Sequence, residues 1–122
     1  MEIRFTNKKL KEISLDEELL LVHARTNGIE NPVSVVPKIK LALWHLASAD
    51  TMYDMPEYFR PHPLVTDLKG HYGMNVTRSH RLVVKPDHAD EPEFNWENIK
   101  SIRRVVVTHL CNDYHKNGRK KQ

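Results

Sequence analysis

Apolar residues keep one spacing up to Phe59 and another beyond it. Before that point most recur three and four apart, the period of a helix face; after it they alternate or run in short blocks, the habit of strands. The opening EIRF, residues 2–5, alternates and is bounded by Thr6 and Asn7, which predicts a first strand. Asn7 can cap a short helix over KKLKEI, whose Leu10 and Ile13 lie three apart. Ser14 and Glu17 have the spacing of a capping box and predict the opening of a second helix carrying Leu19, Leu20 and Val22. Asn27-Gly28 closes it with residues that tolerate a left-handed backbone. Pro32 and Pro37 bracket a third start. Ser34 is the expected cap there, since it leaves Pro37 in the first turn, where a missing N–H matters least. Val36, Ile39, Leu43 and Leu46 then carry an amphipathic helix to about Ala49. DTMYDMPEYF reads as a loop with at most one helical turn.

Three β-like runs come next: RPHPLV, HYGMNV and RLVVKP, separated by the turn-like TDLKG and TRSH. An acidic, proline-containing connection spans 87–98. The last run, about 101–112, has too many β-branched residues for a good helix. Its apolar residues fall on both faces, as in a strand with neighbours on either side. A strand, then helices, then three or four antiparallel strands predict an α+β fold with the helices on one side of the sheet.

Composition narrows the setting. At 122 residues, 39% hydrophobic and 29% charged, the chain suits one folded domain rather than a disordered segment. We expect that domain over 1–115, with 116–122 a basic tail. The tail's Lys116, Arg119, Lys120 and Lys121 outweigh the whole net charge of +3, so the remainder is slightly acidic. A basic end permits nucleic-acid binding, though many are merely solvated termini. The single Cys111 excludes an internal disulfide and a cysteine-rich zinc site. No apolar leader and no stretch of about 20 apolar residues is visible, which predicts a cytoplasmic protein without a membrane span. With no H-E-x-x-H, no C-x-x-C and no phosphate-cradling glycine loop, neither a metal nor a cofactor is expected.

What remains is a set that hairpin order can bring to one rim: His62, Lys69, Arg81, Asp113, Tyr114 and His115. Taken singly, each is an ordinary surface residue. Together they fit metal-free RNA cleavage. That reaction needs a base for the ribose 2′-OH, an acid for the departing 5′ oxygen and a cation for the phosphate. Histidine suits proton transfer near neutrality. Arginine stays charged and grips phosphate oxygens as a fork. Tyrosine can stack on a base.

The stretches HPLVTDLKGHYGMNVTRSHRLVV and VVVTHLCNDYH, with the opening MEIRFTNKKLKEI, resemble HigB toxins of the RelE/ParE superfamily, from type II toxin–antitoxin modules. The segment FNWENIKSI before the last strand looks like a larger-loop branch. The resemblance covers nearly the whole chain to His115. It implies a RelE-like fold: an N-terminal strand and two to three helices on one face of a curved antiparallel sheet of four to five strands. It also implies ribosome-dependent mRNA cleavage and neutralisation by a cognate antitoxin, itself a helix-turn-helix DNA-binding protein, with a toxin–antitoxin heterotetramer as one possible assembly. By position, His62 matches the family histidine, Arg81 the strand arginine, and Asp113, Tyr114 and His115 the terminal triplet. His115 or His62 is the expected acid/base, Arg81 the phosphate clamp, Tyr114 a positioning or stacking group, and Asp113 an orienting or proton-transferring one. The family's lysine after His-Pro-Leu is Val65 here, and the next glycine is Thr66. Lys69, in the same turn, is the candidate replacement. His80 stands where the family has an aromatic residue before the arginine. These departures keep two further readings open: a non-catalytic toxin-like protein docking on the ribosome or, as in the ParE branch, on DNA gyrase; and a small basic RNA-binding module without toxicity.

Overall fold

The computed structural model describes residues 1–113; Tyr114, His115 and the tail 116–122 lie outside the described residues. Strand β1 (Glu2–Phe5) leads into helices α1 (Lys8–Leu15), α2 (Glu17–Thr26) and α3 (Pro32–Ser48). Two single-turn 3-10 helices, Met52–Asp54 and Glu57–Phe59, come after them. Then come β2 (His62–Pro63), β3 (Tyr72–Asn75), β4 (His80–Pro86), a further 3-10 turn at Ile99–Ser101, and β5 (Arg104–Asp113). The three helices pack against a five-stranded sheet of order β1-β5-β4-β3-β2, an α+β fold. The sheet is mixed rather than wholly antiparallel, because β1 runs parallel to β5 while the other pairs are antiparallel.

Local chemistry accounts for the boundaries, including those the sequence misplaced. Asn7 caps α1 as expected, its Oδ1 accepting from the Leu10 N–H at 2.8 Å. Ser14 does not open α2. Its hydroxyl donates to the Lys11 carbonyl at 2.6 Å inside α1, and Asp16 caps α2 instead, accepting from the Leu19 N–H at 3.1 Å. Gly28, at φ +86°, takes the left-handed turn that ends α2. Helix α3 begins two residues before Ser34, with Pro32 in the first turn, where no N–H is needed. Ser34 spends its hydroxyl on the Asn31 carbonyl at 3.1 Å. Pro37 therefore sits inside the helix, tolerated because burial of Val35, Val36, Ile39, Ala42 and Leu46 holds α3 down. Ile39 and Leu46 are wholly buried, worth about 1.5–3 kcal/mol each.

The run RPHPLV pairs over two residues alone, since Pro61 and Pro63 bring no N–H to a ladder. The last strand starts at Arg104, later than the expected 101. The side chain of Asn98 accepts from the Lys100 N–H at 3.0 Å and folds 99–101 into a turn. Strand β5 lies between β1 and β4, with Val105 and Val107 fully buried in the core and Val106 partly exposed on the other face. Tyr72, Met74, Leu82, Val84, Val105 and Val107 join the core beneath the helices. Alternation then turns His71, Gly73, Asn75, Arg81, Val83 and Lys85 to the helix-free face.

The acidic connection is pinned at both ends. Glu91 receives Arg103 at 2.9 Å and Arg104, and lies 3.9 Å from the buried His88. His88 Nε2 accepts from the Arg103 N–H at 2.9 Å. The Tyr72 hydroxyl donates to the Trp96 carbonyl, holding the far part of the loop over the sheet. Among the described residues, no helix is long and apolar enough to cross a membrane.

Candidate active site on the helix-free face

Sheet register builds the site in cross-strand rows. His62 opposes Gly73, Gly73 opposes Val83, and Val83 opposes His109. The next row runs Asn75, Arg81, Asn112. Directly opposed residues share a face, so His62, Arg81, Asn75, Asn112 and His109 all belong to the side the helices leave open. Arg81 Nε donates to Asn112 Oδ1 at 3.3 Å, which ties the guanidinium to β5.

Gly73 makes room for that arginine. A Cβ at this position would sit 3.0 Å from Leu64 Cδ2 and 3.2 Å from Arg81 Cδ, both inside ordinary carbon contact. The missing side chain thus lets the Arg81 stem lie across β3 with Leu64 beside it.

A cleft of about 980 Å³ opens where β2 and the 3-10 segment meet the sheet, lined by Arg60, His62, Asn75 and Arg81 together with Tyr53 and Glu57. Arg60 adopts φ +47°, a left-handed turn rare for a side-chain-bearing residue, and its carbonyl accepts from His62 Nδ1 at 2.6 Å. A carbonyl can only accept, so His62 carries its proton on Nδ1 when neutral and presents the Nε2 lone pair. His62 and Arg81 are thereby brought into one cleft. The side chains of Glu57, Arg60, Asn75 and Asn112 are additions that sequence alone did not single out. The carboxylate of Glu57 and the amides of Asn75 and Asn112 place further proton acceptors and hydrogen-bond donors around Arg81.

The other expected residues fall elsewhere. Lys69 is exposed in the turn between β2 and β3, beside Leu68 at φ +61° and Gly70 at φ +91°, and does not line the cleft. Val65 is 73% exposed. Asp113 opposes His80, on the face opposite to Arg81, with His80 Nε2 3.8 Å from Asp113 Oδ2. Thr77 Oγ1 already accepts from the N–H groups of Ser79 and His80, at 3.2 and 3.1 Å, so its own proton goes to His80 Nδ1 at 2.9 Å. That leaves the His80 proton on Nε2, aimed at Asp113. The histidine that replaces the expected aromatic residue thus partners the first member of the terminal triplet. Tyr114 and His115, the other two members, are outside the described residues.

Two histidines on the helix-free face escaped the sequence reading. His71 Nδ1 donates to the Leu68 carbonyl at 3.0 Å. His109 Nδ1 lies 2.9 Å from Thr108 Oγ1. Burial, then His71 and Arg81, hold its pKa below the ordinary 6.5. Cys111 is buried, which pushes its thiol up to about 11 and removes it as a nucleophile. Among the described residues, no three His, Cys, Asp or Glu side chains gather as a group able to hold a metal ion.

No family model matches the chain, and no curated protein matches it. Two solved structures align with most of the chain. A YoeB/ParE toxin from Agrobacterium tumefaciens is 15% identical, covering 93% of this chain and 98% of its own, at a TM-score of 0.49. A YoeB-YefM complex from Staphylococcus aureus is 16% identical, covering 92% of this chain and 94% of that one, at a TM-score of 0.47.

Proposed function

We propose that the chain is a toxin of the RelE/ParE type, HigB-like in its motifs, that cuts mRNA on the ribosome and is neutralised by a cognate antitoxin. One observation carries the reading: His62, with Nε2 unblocked, shares a single cleft with Arg81, whose stem is seated over Gly73 and whose guanidinium is tied to Asn112. The pairing is that of a proton-transfer group with a phosphate clamp. In the proposed reaction the 2′ oxygen gives up its proton and bonds to phosphorus. The P–O5′ bond breaks, and O5′ leaves with a proton. Arg81 holds the non-bridging oxygens as their charge grows, while His62 serves proton transfer. Asp113, 3.8 Å from His80 Nε2, leads the chain directly into Tyr114 and His115, so the terminal triplet starts one strand residue beyond Asn112. The tail beyond adds four cations that suit a polyanionic partner. A helix-turn-helix antitoxin, a heterotetrameric complex and a cytoplasmic setting complete the proposal.

The second reading keeps the toxin and drops the cut. It is favoured by Val65, which puts an exposed apolar group where a catalytic lysine is expected, and by Lys69, which lies outside the cleft. Induction in growing cells, with mapping of mRNA ends, separates the two. New ends on translated messages that vanish in Arg81→Ala support the nuclease. Growth arrest with intact mRNA and accumulating DNA breaks supports a gyrase target, and growth without arrest removes both.

A further inference from the structure

We infer that His109, through Nε2, is a catalytic base of the Arg81 site, a role that rests on the nuclease reading. Thr108 has one hydroxyl proton with two acceptors in reach, the Val83 carbonyl at 3.2 Å and His109 Nδ1 at 2.9 Å; we place it on the carbonyl, which can only accept, because that arrangement satisfies both contacts. The contact between Thr108 Oγ1 and His109 Nδ1 at 2.9 Å must then be made by a proton on Nδ1. Neutral His109 therefore carries its lone pair on Nε2. That atom makes no hydrogen bond among the described residues and is not sealed from solvent as His80 Nε2 is.

Position gives the lone pair its target. His109 is at the β5 end of the row that has His62 at the β2 end, three strand spacings or about 14 Å away between backbones. The neighbouring row places Arg81 between them in register. In this proposal a phosphate gripped by Arg81 meets His62 from within the cleft and His109, which does not line that cleft, from the β5 side, where its ring feels the Arg81 charge. The proton of the 2′-OH passes to His109 Nε2 while the 2′ oxygen bonds to phosphorus. The P–O5′ bond breaks with its electron pair on O5′, which takes a proton from the imidazolium form of His62.

The surroundings keep His109 ready to accept. Arg81 and Lys85 face this side from β4 and His71 from β3, and the flanking rows of β5 supply Val106 and Asn112, with no carboxylate in either row. Burial first, then His71 and Arg81, lowers its pKa and favours the neutral ring. The neutral ring is the form a base needs.

His109→Asn tests the assignment. The asparagine amide keeps a donor for Thr108 and removes Nε2. We expect cleavage to fall about 10²- to 10⁴-fold, with the acid limb of the wild-type kcat/KM profile, placed below 6.5, lost. Added imidazole should restore part of the rate. Affinity for an oligonucleotide with a 2′-deoxy residue at the cut site should hold. His109→Phe, which retains ring packing, should be as inactive as the asparagine variant. If His109→Asn cuts within threefold of wild type on an unchanged pH profile, while Arg81→Ala is dead, the inference falls and the nuclease stands. If a structural role is the truth, Phe restores what Asn loses, and the inference again falls. If wild type cuts no RNA, both fall together.

Discussion

Gly73→Ala is the most informative single change to the site's framework. The added methyl would lie 3.0 Å from Leu64 Cδ2 and 3.2 Å from Arg81 Cδ, against an ordinary separation of about 3.5–4.0 Å. Leu64 is 5% exposed and has little room to yield. Arg81 can yield only by straining its 3.3 Å bond to Asn112. Overpacking of this kind costs about 1–3 kcal/mol. Loss of glycine's freedom in the unfolded chain offsets about 0.4–1 kcal/mol of that. The net expectation is a destabilisation of about 1–2 kcal/mol, a fall in Tm of about 4–8 °C for a domain of this size. Thermal melts by circular dichroism read this directly. Leu64→Ala should rescue the pair, because the new methyl then enters vacated space: the double variant should be more stable than the summed singles by at least about 0.5 kcal/mol. A Tm that is unchanged or raised, or strict additivity with Leu64→Ala, would refute the seating of the Arg81 stem over Gly73.

His109 and His23 are both held below 6.5, His109 by burial and then His71 and Arg81, His23 by burial and then Lys9. Between the lowered values and 6.5 the unfolded chain takes protons that the folded chain refuses, so stability is full above pH 6.5 and is lost as pH falls through that window. Urea midpoints at pH 7.5 and 5.5 should show the drop, and a double His109→Asn, His23→Asn variant should show less of it; an equal drop would contradict the assignment. Cys111, buried with its thiol near 11, should resist a thiol reagent at pH 8 until denaturant is added, and labelling within minutes in the native state would contradict its burial. Glu91→Gln weakens contacts to Arg103, Arg104 and His88 at once, which should cost about 1–2 kcal/mol as a network of partly exposed pairs. The same variant should quicken proteolysis within 87–98, and cleavage at the wild-type rate would contradict the pinning role.

Periodicity made the helices and the order of strands legible because they follow from burial, which the apolar pattern records directly. Leu20, Val36, Ile39 and Leu46 are buried as that pattern requires, whereas Leu19 and Val22 on the second helix stay exposed. Caps were harder. Ser14 and Ser34 have the right chemistry, yet Asp16 and Pro32 offered better starts close by, and a propensity cannot choose between neighbours that differ by about 1 kcal/mol. The parallel pairing of β1 with β5 was not legible, because strand direction is settled by the path of the three helices and three strands between them. At the site, His62 and Arg81 were readable as residue types around a hairpin. Asn75 and Asn112 were not, since they matter only through register with Arg81. His109 was hidden for another reason: it follows Val105 and Val107 in alternation and reads as core, until the irregular pairing beside Val83 turns it to the open face. Its signal was a polar residue at an apolar phase.

The chemistry of the cut ends tests the central claim most directly. Wild-type protein added to translating ribosomes should leave mRNA fragments with 2′,3′-cyclic phosphate and 5′-hydroxyl termini, since the attacking oxygen is the neighbouring 2′-OH. Arg81→Ala should abolish them, and a message with a 2′-deoxy residue at the cut site should survive. Fragments ending in 3′-hydroxyl and 5′-phosphate, or equal cleavage by wild type and Arg81→Ala, would contradict the account.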